Sequence, residues 1–248
     1  MSGFVTNMFK RTLIAVGMAF GMIPMHLAAA AEVESDALEG RTEAAIADFR
    51  SAMKLEPDLS QGKKLFSTCA ACHGAKGLGT EDGRVPAIAG QHASVLVKQL
   101  VDFRHDRRWG EQMRDVASKH NLDGPQELLD VATYAESLQR WPPLEGGSGD
   151  GSALNEGFVI YQRNCAECHG PLGLGEQRRM RPRLAGQRYQ YLLRQLEETA
   201  DSMRPGMSVE HVKLIGALTT AERRAVADYL SRLSPNLAST PGEAPRSP

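Results

Sequence analysis

The chain contains four cysteines, and all four fall in two copies of one arrangement: Cys69-Ala-Ala-Cys72-His73 and Cys165-Ala-Glu-Cys168-His169. On a helical turn, residues at i, i+3 and i+4 share a face. Two thiols and an imidazole in each copy therefore converge on one flat ligand. A Cys-x-x-Cys pair also serves as a thioredoxin-like redox site, as half of a zinc site, or as a disulfide. The first needs a βαβ setting, and strand-like alternation is scarce here. The second needs its other half close by, and the two pairs lie 96 residues apart. The chemistry that fits is covalent haem: two thiols add to the two vinyl groups as thioethers, and the next histidine binds the iron from below. Two such motifs predict two haem c groups, with Cys69, Cys72, Cys165 and Cys168 as attachment sites and His73 and His169 as iron ligands.

What fills the sixth position decides between electron transfer and chemistry on a small molecule. In the first repeat the only methionine downstream of the motif is Met113, whose polar neighbours make a filler role unnatural. Met113 is therefore the expected ligand, and His105 and His120 compete but read as surface residues. The second repeat offers Met203, Met207 and His211. The shared arginines, Arg108 and Arg204, place Met207 after the arginine as Met113 is, so Met207 is the expected second ligand. Met203 and His211 remain as competitors, and Met180 reads as a loop residue.

The elements that position these residues come from a duplication. A shift of 96 lays residues 69–100 on residues 165–196 without a gap, and 15 of those 32 positions are identical. They include Gly77-Leu-Gly79 and Gly173-Leu-Gly175, the boxes Pro86-Ala-Ile-Ala-Gly-Gln91 and Pro182-Arg-Leu-Ala-Gly-Gln187, and the pairs Gln99-Leu100 and Gln195-Leu196. Before each motif a glycine and an aromatic residue stand about one helical turn apart: Gly62 with Phe66, and Gly157 with Tyr161. After each motif a periodic segment carries Tyr134 or Tyr229. A glycine on one helix lets another cross closely, with the tyrosine as its neighbour, and the aromatics read as core. A further helical segment, residues 42–55, either packs on the first repeat or only leads into it.

Ahead of this lies an export signal. Lys10 and Arg11 precede a 19-residue apolar run from Leu13 to Ala31, no acidic residue precedes Glu32, and the run ends in four alanines. Cleavage near Ala30 or Ala31 and a periplasmic destination follow, with a retained membrane anchor as the alternative. The expected organisation is a signal peptide (1–31), an N-terminal helical extension (32–56), a first domain (57–141), a linker rich in proline and glycine (142–154), a second domain (155–235) and a disordered tail (236–248). With 29 Lys and Arg against 30 Asp and Glu, the net charge of −1 gives no reason to expect nucleic acid as a partner.

From about residue 57 to 235 the sequence resembles the tandem dihaem class I cytochromes c, most closely the cytochrome c4 type. The resemblance rests on the two haem motifs, the two Pro-x-x-Ala-Gly-Gln boxes, the later methionines, and the Val-Ala-Thr-Tyr134 and Val-Ala-Asp-Tyr229 segments. It implies an all-α fold of two domains, each with its N- and C-terminal helices crossing beside a haem. It further implies that the carbonyls of Pro86 and Pro182 accept the Nδ1 protons of His73 and His169, which fixes each ring. The implied function is single-electron transfer between redox proteins: an upstream dehydrogenase or quinol-oxidising complex, and a downstream oxidase or reductase. Two rivals are a cytochrome subunit fixed in a dehydrogenase complex and a dihaem peroxidase. The peroxidase predicts unlike halves.

Overall fold

In the computed structural model, which describes residues 41–140 and 149–233, the chain is helical and forms no strand among those residues; an isolated bridge pairs Glu176 with Arg181. The signal segment, most of the linker and the tail lie outside the described residues. The first repeat comprises α1 (residues 41–52), α2 (Leu59–His73), α3 (Ala93–Arg104), α4 (Glu111–Val116) and α5 (Pro125–Ser137). The second comprises α6 (Leu154–Asn164), α7 (Ala166–His169), α8 (Tyr189–Ala200), α9 (Val209–Gly216) and α10 (Thr220–Arg232). The all-α expectation holds.

The local sequence explains where the helices start. Asp58 caps α2 by accepting from the backbone N–H groups of Ser60 and Gln61, satisfying two of the orphan donors at the helix end. Its own N–H donates to Asp130 on α5, so the cap also ties the two helices together. Pro125 opens α5, where its missing N–H costs nothing. Thr219 and Glu222 form a reciprocal capping box at the start of α10.

Two helix crossings build the domains, α2 on α5 and α6 on α10, each at the expected glycine. A Cβ on Gly62 would lie 2.1 Å from the Asp130 carbonyl oxygen, and one on Gly157 would lie 2.2 Å from that of Ala225. Beside each crossing the aromatics meet as expected: Phe66 edge-on to Tyr134 at 5.3 Å, and Tyr161 against Tyr229 at 5.8 Å. Tyr161 is fully buried, and its hydroxyl donates to the carbonyl of Gly170, next to His169.

The structure also decides the role of α1. Ala45 and Ala52 are buried in the core of the first domain, and Phe49 packs against it. Asp48 accepts from Arg104 (3.2 Å) and from His105 (2.9 Å). The extension is thus part of the first domain's packing and not merely a lead-in.

Candidate functional site

Each motif sits at the end of a helix that a glycine terminates. Gly74 and Gly170, both at positive φ (77° and 78°), turn the chain out of α2 and α7 immediately after the histidine. The loops then return along matching paths. Gly79 donates to the carbonyl of His73, and Gly175 to that of His169; Gly77 accepts from Ile88 and Ala89, and Gly173 from Leu184 and Ala185. This return brings a proline carbonyl to each ring, with His73 Nδ1 2.9 Å from Pro86 O and His169 Nδ1 3.1 Å from Pro182 O. Nδ1 therefore carries the proton and donates, which leaves the Nε2 lone pair free to bind a metal.

The electrostatics suit haem attachment. Burial pushes the pKa of both His73 and His169 down, favouring the neutral imidazole that binds metal. Burial likewise pushes the Cys69 and Cys165 thiols up to about 11, a poor setting for thiolate ligands to zinc. The four cysteines are unpaired, and Cys72 and Cys168 are exposed, within reach of an incoming vinyl group. Among the described residues no cluster of three or more His, Cys, Asp or Glu side chains forms a metal site by itself. Buried Arg183 Nε and Arg188 Nη1 have no hydrogen-bond partner, and such donors fit a group that carries carboxylates, as haem does.

The candidates for the sixth position are spread over two helices and a loop. Met113 is half-buried at the third residue of α4. The carbonyl of Ala117 at the end of that helix accepts from Arg104 Nε, and Arg104 is itself held by Asp48 of α1. His120 is exposed, as expected of a surface residue, but His105 is not at the surface: its side chain is 15% exposed and pairs with Asp48 of α1. In the second repeat Met203 is 62% exposed and Met180 38%. Met207 is half-buried and precedes Ser208, the N-cap of α9. The side chain that faces His169 is His211: the ring centroids are 6.4 Å apart and the planes inclined at 51°. Burial, then the neighbouring His169, pushes the His211 pKa down to about 4, so its ring is neutral.

Sequence reasoning missed a seam between the repeats, built from equivalent positions of the two. Gln187 accepts from the Ala87 N–H (3.0 Å) and donates to the Ala87 carbonyl (2.8 Å). Gln91 accepts from the Arg183 N–H (2.9 Å) and donates to the Arg183 carbonyl (2.9 Å). His92 pairs with the Leu174 carbonyl, and Arg188 with that of Leu78. Arg108 donates to Gln195, and Arg204 to Gln99. Every one of these contacts has its counterpart at the shift of 96. Arg140, buried at the centre, donates to the carbonyls of Ala87, Ala89 and Ala185. Burial lowers its pKa to about 9, which still leaves it charged at neutral pH. The available signal was the identity of polar residues that haem binding does not require.

The seam reaches the metal sites. The peptide unit joining Pro86 to Ala87 accepts from His73 through its carbonyl and donates to Gln187 through its N–H. The unit joining Pro182 to Arg183 does the same between His169 and Gln91. Each motif histidine is thus steadied by a side chain of the other repeat.

Two crossed-helix domains, each presenting a Cys-x-x-Cys-His turn with a proline-anchored imidazole, define a tandem c-type cytochrome. The family model for cytochrome c matches twice, over residues 59–139 and 154–234, and the chain belongs to that family. Cytochrome c4 of Thiocapsa roseopersicina is 33% identical over 184 residues, covering 69% of this chain and 90% of that one. A protein of Stutzerimonas stutzeri (strain A1501) described as a thiosulfate dehydrogenase electron acceptor is 30% identical over 198 residues, covering 73% and 90%. The crystal structure of reduced recombinant cytochrome c4 from Pseudomonas stutzeri superposes with a TM-score of 0.61 at 25% identity, covering 72% of this chain and all of that one. The chain is thus a dihaem electron carrier of the cytochrome c4 type and carries two covalent haem c groups, attached at Cys69/Cys72 and Cys165/Cys168.

Proposed function

We propose that this cytochrome works in the periplasm, taking single electrons from a dehydrogenase or quinol-oxidising complex and passing them to an oxidase or reductase. The observation that carries the proposal is the seam, which joins two one-electron sites back to back through their own proximal peptide units. The relative described as an electron acceptor for thiosulfate dehydrogenase supports a dehydrogenase as donor. An export signal supports the compartment, and among the described residues no helix is long and apolar enough to cross a membrane.

Haem supplies a reversible ferric/ferrous couple when bound; the chain does the rest. Pro86 and Pro182 hold the histidine rings in the ligating tautomer. In the first domain we assign His73 and Met113 as the axial pair, a combination that favours ferrous iron and raises the potential. With His73 and Met113 both engaged, a bound iron would be confined to exchanging an electron. In the second domain the sixth ligand comes from the stretch of Met203, Met207 and His211.

A redox titration followed by visible spectroscopy tests this. Two one-electron steps, low-spin spectra in both states and no peroxide turnover are expected. A single step, or rapid binding of carbon monoxide to the reduced wild-type protein, would overturn the assignment.

The seam makes a second expectation. In Gln187→Leu the Ala87 N–H loses its acceptor, the Pro86 carbonyl becomes a weaker partner for His73, and the imidazole donates less charge to iron. The potential of the first haem should rise by on the order of 20 mV, the one-electron equivalent of about half a kcal/mol. The second haem, which lies in the mutated repeat, should move less. Paired titrations of wild type and variant check both signs.

A further inference from the structure

We infer that the second iron is held between two histidines, His169 and His211, and that Met207 is not its ligand. The inference rests on the dihaem reading above and concerns only the distal side of the second site.

Distance is the first support. Metal–imidazole bonds of roughly 2.0 Å, each followed by roughly 1.1 Å from nitrogen to ring centre, separate two trans imidazole centroids by about 6.2 Å. The observed separation of His169 and His211 is 6.4 Å, with planes inclined at 51°. Directly stacked rings would lie closer and more nearly parallel. The gap is wide enough to take a metal between the two rings.

Helix register is the second. Met113 is the third residue of α4, and the residue four further on, Ala117, is fully buried. His211 is the third residue of α9, and the residue four further on, Ile215, is 2% exposed. Residues four apart share a helix face, so both side chains stand on the inward face at the same position of corresponding helices. The sequence offset of 96 sets Met113 opposite Val209, midway between Met207 and His211. Only the helix position distinguishes them, and it selects His211.

The third support is that His211 has no other evident task. Its Nδ1 is buried without a hydrogen-bond partner, which is costly for an imidazole with no role. Its backbone N–H is fixed by the Ser208 cap. Met207 lies outside the helix, and its neighbour Gly206 packs on the first domain: a Cβ there would be 3.1 Å from the Arg107 carbonyl oxygen. That stretch serves the seam.

The consequence is an unlike pair. Without a thioether the second iron loses the preference for the ferrous state that Met113 gives the first. When the first iron is half reduced, the second should be roughly tenfold or more on the ferric side, which corresponds to about 59 mV or more for one electron.

The test uses the full haem-loaded protein, with haems counted per chain for every variant. The readout is the near-infrared sulfur-to-iron charge-transfer band of ferric methionine-ligated haem. Wild type should show the band at one haem of two, Met207→Ala should leave it unchanged, and His211→Met should double it. His211→Ala should make one haem of two bind carbon monoxide. A wild-type band at both haems, halved by Met207→Ala, overturns the inference while leaving the dihaem carrier intact. Fewer than two covalent haems per chain overturns both, and the haem count tells the two failures apart.

Discussion

Gly157→Ala is expected to cost the second domain about 3 kcal/mol or more, enough to prevent it from closing stably around its haem. The new Cβ would stand 2.2 Å from the Ala225 carbonyl oxygen, 2.7 Å from its carbon and 2.9 Å from Tyr229 Cβ. Two of these atoms are backbone and the third is the root of a side chain, so none can swing aside. The helices must part, and the separation opens the packing of Tyr161 and Val226, both essentially fully buried. Overpacking typically costs 1–3 kcal/mol, and more where rigid atoms collide, against a total stability of roughly 5–15 kcal/mol for a domain. Gly62→Ala should act likewise in the first domain, where the Asp130 carbonyl oxygen lies 2.1 Å away. Gly74→Ala separates backbone strain from collision: at φ 77° and ψ 156° it lies in a region that favours glycine, but nothing lies within 4 Å of a Cβ, so only the backbone penalty of about 1–3 kcal/mol applies. Urea unfolding of the holoprotein followed by circular dichroism measures all three. A loss below 1 kcal/mol for Gly157→Ala would show that the crossing is not the close contact described.

Met113→Ala is expected to open the first iron alone. The sulfur-to-iron band should disappear, carbon monoxide should bind one haem of two, and the potential of that haem should fall by on the order of 0.1 V, within the roughly 0.8 V range that axial ligands span. The fold should survive, because the position of α4 does not depend on Met113. Arg104 grips the carbonyls of Ala117 and Leu122 from the far side, and Asp48 of α1 holds Arg104. A variant that keeps the sulfur band at full intensity would remove Met113 from the ligand set and return the search to the rest of the first domain.

The parts of the molecule governed by short-range spacing were legible in the sequence. The motif fixes two attachment thiols and an imidazole within five residues, and the glycine–aromatic pairs announce the crossings at Asp130 and Ala225. The proline thirteen residues beyond each histidine delivers the expected carbonyl. Interactions between distant segments were not legible. The docking of α1 depends on Asp48 meeting Arg104 and His105 across more than fifty residues, and no local pattern encodes that. At the distal side of the second site two ways of counting diverge for a specific reason: the aligned arginine is a seam residue. Arg204 reaches Gln99 and Arg108 reaches Gln195, so their registry is fixed by the opposite repeat. The loop from there to α9 is free to change length. Counting from Arg204 selects Met207, whereas counting from the start of α9 selects His211.

The glutamine exchange also speaks to ancestry. When residue i of one copy touches j of the other, and j touches i in return, the contact has the reciprocity of an isologous homodimer. Gln91 on Arg183 with Gln187 on Ala87, and Arg108 on Gln195 with Arg204 on Gln99, follow that rule throughout. A small single-haem protein that paired with its own twin before the two genes were joined end to end would leave such a record. Once the copies shared one chain, each half was released from having to match its sibling, and Ala87 opposite Arg183 or His92 opposite Arg188 is the kind of divergence that fusion permits.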